Sequence, residues 1–136
     1  MITASLCLAL AVYYEARGEP VAGQIAVAQV VMNRVESHTY PDTVCGVVTQ
    51  PYQFSFFNSQ KNTKVEQRIN GLVHKITDKK SWSQSRYIAE AILQGHDTGL
   101  TATFYHADTV KPYWSKSPKL RRVATIGNHI FYSERG

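Results

Sequence analysis

With 136 residues, 43% of them apolar and 18% charged, the chain is long enough for one domain with its own hydrophobic core. That excludes a mini-protein dependent on staples, and no apolar stretch is long enough to span a bilayer. The net charge of +5 serves solubility in the simpler reading; in a functional one it favours a polyanionic partner that composition does not identify.

Met1 to Val12 is apolar but lacks a basic leader region and is short for a secretion signal with its cleavage site. It reads instead as the first helix of the fold, carrying Leu6, Leu8, Leu10, Ala11 and Val12 toward Tyr13-Tyr14-Glu15. Gly18 is expected to end that helix in the left-handed conformation, and Pro20 to sit in the first turn of the next. From Val21 to Val35 the chain is apolar nearly all round a helix, so this helix is expected to be central and buried.

Ser37 to Asp42 ends it, and Thr43 is placed to cap a short turn through Val48. Gln50-Pro51-Tyr52 breaks the chain, Gln53-Phe54-Ser55-Phe56-Phe57 reads as extended, and Asn58 to Lys64 as a loop. Val65, Ile69, Leu72, Val73 and Ile76 fall at helical spacing, although Gly71 weakens that helix by about 1 kcal/mol. After a charged turn at Thr77 to Lys80, Ser83 or Ser85 caps another helix, which Gly95 closes. Beyond Gly99, Thr101 to His106 alternates like a strand, and Gly127-Asn128 between two β-rich runs predicts a hairpin. Helices first and antiparallel strands last make an α+β chain, with no repeat or interdomain linker.

Glu15 is the leading catalytic candidate. A carboxyl held against apolar and aromatic surface has its acid form favoured by desolvation, as a general acid for sugar chemistry requires. The plainer alternative is a solvated Glu, or one paired with Arg17.

The surrounding motifs resemble the SleB-type spore cortex-lytic and cell-wall hydrolases. The matching residues are Ala11 to Pro20, Gly23-Gln24, Ala26-Val27-Ala28, Val30-Val31-Met32-Asn33-Arg34-Val35, Tyr40 to Cys45, Val47-Val48 and Gln53-Phe54-Ser55. Tyr105-His106-Ala107, Pro112-Tyr113-Trp114 and Ile126 to Tyr132 continue the match. The likeness is dense from Leu6 to Ser55 and thin from Phe57 to Leu100. It implies a lysozyme-like fold in which a helical lobe carries a small antiparallel β lobe near the C-terminus. It also implies action on peptidoglycan glycan strands between N-acetylmuramic acid and N-acetylglucosamine, with Glu15 as acid/base. Family members often carry a signal peptide and a wall-binding domain; a chain with neither resembles a compact phage endolysin, made in the cytoplasm, released by a separate route, and monomeric.

Glycosidic cleavage usually takes two carboxyl groups. Glu19 is near, but across a Gly-Glu-Pro turn it reads as a cap for the second helix, and Asp42 as a turn residue. A lytic transglycosylase needs only one carboxyl, and no metal or cofactor, because the muramic acid 6-hydroxyl is the nucleophile. Gln53 and Ser55 match the family's cleft segment, although Phe56 stands where that family has Trp. Tyr105, Tyr113 and Trp114 are further substrate-binding candidates, with core packing the alternative for Trp114. Asn33 and Arg34 read as structural polar residues on a buried helix.

Two rival readings remain. His96, Asp97, His106, Asp108 and His129 could converge as zinc ligands of an amidase or peptidase, His106 and Asp108 sharing one strand face, but no ligand-spacing motif supports them. A non-catalytic module binding wall polymer or nucleic acid would use Lys75, Lys79, Lys80, Lys111, Lys116, Lys119, Arg121 and Arg122; no nucleic-acid motif is present. Cys7 and Cys45 read first as buried thiols, or as a bridge from the first helix to the Thr43–Thr49 segment if the protein works outside the cytoplasm.

Overall fold

Two helices that are apolar around most of their circumference must both be enclosed, and the rest of the chain is arranged to enclose them. The structure, a computed structural model, describes residues 2–50, 53–58 and 64–135. Its helices are α1 (Ala4–Ala16), α2 (Val21–Glu36), α3 (Val44–Val48), α4 (Ser55–Asn58), α5 (Val65–His74) and α6 (Lys79–Leu93). Then follow β1 (Phe104–Ala107), a 3-10 turn (Tyr113–Lys116), β2 (Leu120–Ile126) and β3 (His129–Glu134), with β3 in the middle of an antiparallel sheet. None of the described helices is long and apolar enough to cross a membrane.

The two apolar helices divide the burial between them. Every residue of α1 from Cys7 to Tyr13 is at most 1% exposed, with α2, α3, α5 and α6 packed around it. Helix α2 is the partition. Ala28 and Val31 join the helical core, while Ala26 and Val30 pack with Ala102 and Phe131 beneath the sheet. The expectation of a central second helix therefore holds, but α1 is the more completely enclosed.

Several local expectations change, each for a physical reason. Gly18 is not left-handed: α1 runs into Arg17 in the right-handed region, and the Glu19 N–H closes the turn on the Ala16 carbonyl at 2.9 Å. Gln53 to Phe57 is not extended, because Phe54 and Phe57 are each 1% exposed. Residues three apart share a helix face but fall on opposite faces of a strand, so the α4 turn is what buries both. Helix α6 starts earlier than expected: Asp78 accepts the Ser81 N–H at 3.0 Å and its hydroxyl at 2.6 Å. Ser83 and Ser85 then lie inside the helix. The expected break at Pro51 and Tyr52, and residues 59–63 of the expected loop, lie outside the described residues.

The strands are shorter or longer than the pattern suggests for similar reasons. β1 begins at Phe104 rather than Thr101, since side chains of α2 hold the carbonyls of Leu100, Ala102 and Thr103. The hairpin turns at Gly127, whose φ of 56° suits glycine, and a register shift between Arg122 and Ala124 bulges β2 at Val123.

Cys7 and Cys45 are bridged, joining α1 to α3 across a separation of 38 residues. Closing a loop of that length in the unfolded chain is worth about 3–4 kcal/mol on the chain-entropy account. A Cys7→Ala/Cys45→Ala protein should lose stability of that order in urea titration; a midpoint unchanged from wild type would contradict the bridge's stabilising role.

Candidate active site

Glu15 lies in the last turn of α1, where the helix emerges from the core between two aromatic supports. On one side Tyr13 meets Trp82 edge-on at 5.8 Å. On the other, Tyr14 stacks on Phe56 at 5.2 Å and its hydroxyl donates to the Leu72 carbonyl at 2.6 Å. Arg17 does not pair with Glu15; it donates to the Tyr13 hydroxyl. What reaches Glu15 is the Tyr105 hydroxyl of β1, which donates to its Oε1. Desolvation raises the Glu15 pKa above the ordinary carboxyl value, and the Tyr105 hydrogen bond and Arg34 charge oppose it less strongly. Tyr105 itself is pushed well up, by its own burial and then by the Glu15 charge, so it keeps its proton and remains a donor.

The sheet fixes which side chains can join this pair. Tyr105 lies opposite Phe131 and Phe104 opposite Tyr132, so alternation puts Tyr105 and Phe131 on the face toward α2. Phe104, His106 and Tyr132 point the other way, and Trp114 packs on them with ring centroids 5.2 to 5.5 Å distant. Trp114 thus sits across the sheet from Tyr105, while Tyr113 beside it is 94% exposed. Gln53 and Ser55 are both exposed and flank the buried Phe54, with Phe56 linking their segment to Tyr14 beside Glu15.

Glu19 takes a role the sequence did not disclose, whereas Arg34 holds backbone as expected of a polar residue on a buried helix. Glu19 is not a helix cap, and no side chain caps α2. Its Oε1 accepts the Asn128 N–H at 2.7 Å, its Oε2 the Asn128 Nδ2 at 3.2 Å, and His129 Nδ1 is 3.7 Å from Oε1. A Cβ on Gly127 would meet Glu19 Oε1 at 2.6 Å and Pro20 Cδ at 2.8 Å, so the hairpin tip needs glycine for proximity as well as for φ. Arg34 is 5% exposed, and its Nε donates to the Thr103 carbonyl at 2.8 Å. Its guanidinium lies over the rings of Tyr40, Phe54 and Phe104, 5.3 to 5.9 Å from their centroids. The one sequence signal was a pair of polar residues, Asn33-Arg34, inside an apolar helix.

The histidines are dispersed. His96 is exposed in the loop after α6, His106 bonds Tyr132 through Nε2 at 2.8 Å, and His129 faces Glu19. Asp108 does not share a strand face with His106, because β1 ends at Ala107 and Asp108 begins a turn. Burial lowers the His129 pKa, outweighing the opposite pull of Glu19 and Asp108, with a smaller lowering from His106. Among the described residues no three metal-ligating side chains come together. A cavity of about 700 Å³ between α2 and the loop after α6 includes Gln29, Asn33, His96 and Thr101 but not Glu15. Its Gln29 and Asn33 are bonded to each other and to that loop.

Residues 18–132 match the family model described as Cell Wall Hydrolase. A spore cortex-lytic enzyme of Halalkalibacterium halodurans is 38% identical over 126 residues, 91% of this chain and 33% of that protein. Its Bacillus cereus counterpart is 36% identical over 125 residues, 91% of this chain and 42% of that protein. The chain thus spans about a third to two-fifths of the length of these curated relatives. Among solved structures, the catalytic domain of the germination-specific lytic transglycosylase SleB from Bacillus anthracis superposes with a TM-score of 0.72 at 30% identity. That match covers 94% of this chain and 92% of the other, and it establishes the lysozyme-like fold.

The Glu19 geometry has a measurable consequence. Removing a charged hydrogen-bond acceptor that holds the hairpin tip costs roughly 1–3 kcal/mol. Glu19→Ala should lower stability by that order while turnover per folded molecule stays near wild type. Well-folded Glu19→Ala protein with turnover reduced a hundredfold would instead put Glu19 in the chemistry.

Proposed function

Because the chain belongs to the Cell Wall Hydrolase family, we propose that it cleaves peptidoglycan glycan strands as a lytic transglycosylase, with Glu15 as the single acid/base. Glu15 in its acid form protonates the oxygen linking N-acetylmuramic acid to N-acetylglucosamine. The C1–O bond breaks, the N-acetylglucosamine side departs with that proton, and positive charge develops at the muramic acid C1. The 6-hydroxyl of the same sugar then closes on C1, and its proton passes to the Glu15 carboxylate. The product is a 1,6-anhydro sugar, no water is consumed, and the acid is regenerated.

The observation that carries this reading is the Tyr105 hydroxyl donating to a partly buried Glu15, on which no other carboxylate among the described residues acts appreciably. Desolvation keeps Glu15 a proton donor above the usual carboxyl range. Tyr105 donates to Oε1, so in this reading Oε2 carries the proton that passes to the leaving oxygen. Glu19, the nearest other acid in sequence, is committed to Asn128. This arrangement suits an internal nucleophile better than a scheme needing a second carboxylate to activate water. Gln53, Ser55 and the exposed Tyr113 are proposed sugar contacts. Trp114, anchored on Phe104, His106 and Tyr132, would hold the Tyr113 turn in place and offer its edge.

Two measurements on purified peptidoglycan test the proposal. Glu15→Gln should fold normally and lose lytic activity by a factor on the order of 10²–10⁴. Mass spectrometry of sugars released by wild type should show 1,6-anhydro ends. Lysis by Glu15→Gln at the wild-type rate would overturn the acid/base role. Reducing muramic acid ends carrying oxygen from labelled water would make the enzyme a hydrolase.

A further inference from the structure

The last part of the chain carries all of its excess charge. From Lys111 onward there are six basic residues, Lys111, Lys116, Lys119, Arg121, Arg122 and Arg135, and one acid, Glu134. The first 110 residues hold nine basic and nine acidic side chains, so the whole net charge of +5 belongs to the turn after β1 and the strands that follow it. All six cations are exposed, and among the described residues no carboxylate lies within ion-pair distance of them. Glu134 accepts the Thr103 hydroxyl at 2.7 Å instead. The helices follow another pattern: Asp78 precedes Lys79 and Lys80, and Arg86 stands four residues before Glu90. Solubility asks for net charge, not for its collection in one lobe.

The register brings part of this charge to one face. Arg122 lies opposite Tyr132, and Tyr132 opposite Phe104, so the three side chains share the outer face of the sheet. Trp114 packs on that face against Phe104 and Tyr132. Its turn presents Tyr113, 94% exposed, between Lys111 and Lys116 in the sequence. Arg122 Nη2 donates to the Thr125 hydroxyl at 3.1 Å, which steadies an otherwise exposed guanidinium. At the end of the sheet the Arg135 N–H donates to the Lys119 carbonyl at 2.8 Å, making those two residues neighbours. An exposed aromatic ring among cations suits a polymer that offers sugar rings and carboxylates together.

We propose that this basic face is a wall-retention surface: its lysines and arginines pair with the carboxylates of peptidoglycan peptide stems, beside the sugar contact at Tyr113. The inference rests on peptidoglycan being the substrate, and it adds a binding surface across the sheet from Tyr105 and Glu15. Muramic acid residues bear the stems, so the strand that is cut is also a polyanion. A single exposed ion pair contributes little, whereas several along one face add. Their attraction is screened over about 10 Å at 0.1 M salt, so retention depends on salt in a way that proton transfer at Glu15 does not.

Cosedimentation with purified peptidoglycan stripped of teichoic acid measures retention without turnover, using Glu15→Gln protein so that the wall survives. Adding Lys111→Gln/Lys116→Gln/Lys119→Gln/Arg122→Gln should weaken binding about tenfold, within what four exposed ion pairs supply. Removing the same charge from the helical lobe, by Lys75→Gln/Lys79→Gln/Lys80→Gln/Arg86→Gln, should change binding less than about twofold. The unsubstituted surface should also lose about tenfold on wall whose carboxylates have been amidated, and again at about 0.5 M salt. Those two arms need no surface variant, so they decide the matter if a variant misfolds. Undiminished binding by the first variant, an equal loss in the second, or full binding to amidated wall would overturn the proposal. Tighter binding to duplex DNA than to wall would overturn it too, by making the face a nucleic-acid surface. Lysis by Glu15→Gln would count against the acid/base reading, whereas an inactive Glu15→Gln that binds wall equally well with or without its basic face would remove only the retention surface.

Discussion

The hydrogen bond from Tyr105 to Glu15 joins residues ninety positions apart, and the placement of the sheet on the helices is organised so that it can form. It carries two opposed effects. Burial around the end of α1 favours the protonated carboxyl, whereas the phenol hydrogen bond and the Arg34 charge favour the anion. Desolvation is the larger, so the folded-state pKa lies above that of the unfolded chain. The folded protein therefore binds this proton more tightly; the resulting stabilisation is complete below the unfolded pKa and lost as pH rises through the folded value. At neutral pH the carboxyl is a local burden that the core around α1 must outweigh.

Three ties make that arrangement rigid, and each links segments distant in sequence. Cys7–Cys45 fastens α3 against the N-terminal part of α1. Glu19, just past the end of α1, grips the tip of the β2–β3 hairpin through Asn128. Asn33 and Arg34, near the end of α2, grip the entry to β1. Together they locate both margins of the sheet relative to Glu15, so Tyr105 needs no loop movement to reach it. Phe131, fully buried against Ala26 and Val30, fills the space between.

What the sequence disclosed and what it withheld divide along the same line. The helix leading to Glu15, the Thr43 cap and the Gly127-Asn128 hairpin were legible because each is decided by neighbours within a few residues. Gly18 misled because a glycine after a helix usually signals a left-handed stop, but a turn that keeps right-handed geometry needs none. Gln53 to Phe57 misled because a five-residue run rich in phenylalanine fits a strand equally well until burial of both Phe54 and Phe57 decides for a helical turn. Glu19 beside Pro20 looked like a cap by every local rule; its partner is 109 residues away. Asn33 and Arg34 were legible as structural polar residues on a buried helix, but not which backbone they hold, because the Leu100, Ala102 and Thr103 carbonyls lie 67 to 69 residues away.

The central claim is that Glu15 is a proton donor because its surroundings hold the proton on it. Carbon-13 NMR of the Glu15 carboxyl, assigned by comparison with Glu15→Gln and followed through a pH titration, reads this directly without any substrate. The account predicts a single transition displaced above the ordinary glutamate range, moving higher still in Tyr105→Phe, which lacks the hydroxyl that favours the anion. A Glu15 midpoint at or below that of the exposed glutamates in the same spectrum would contradict it.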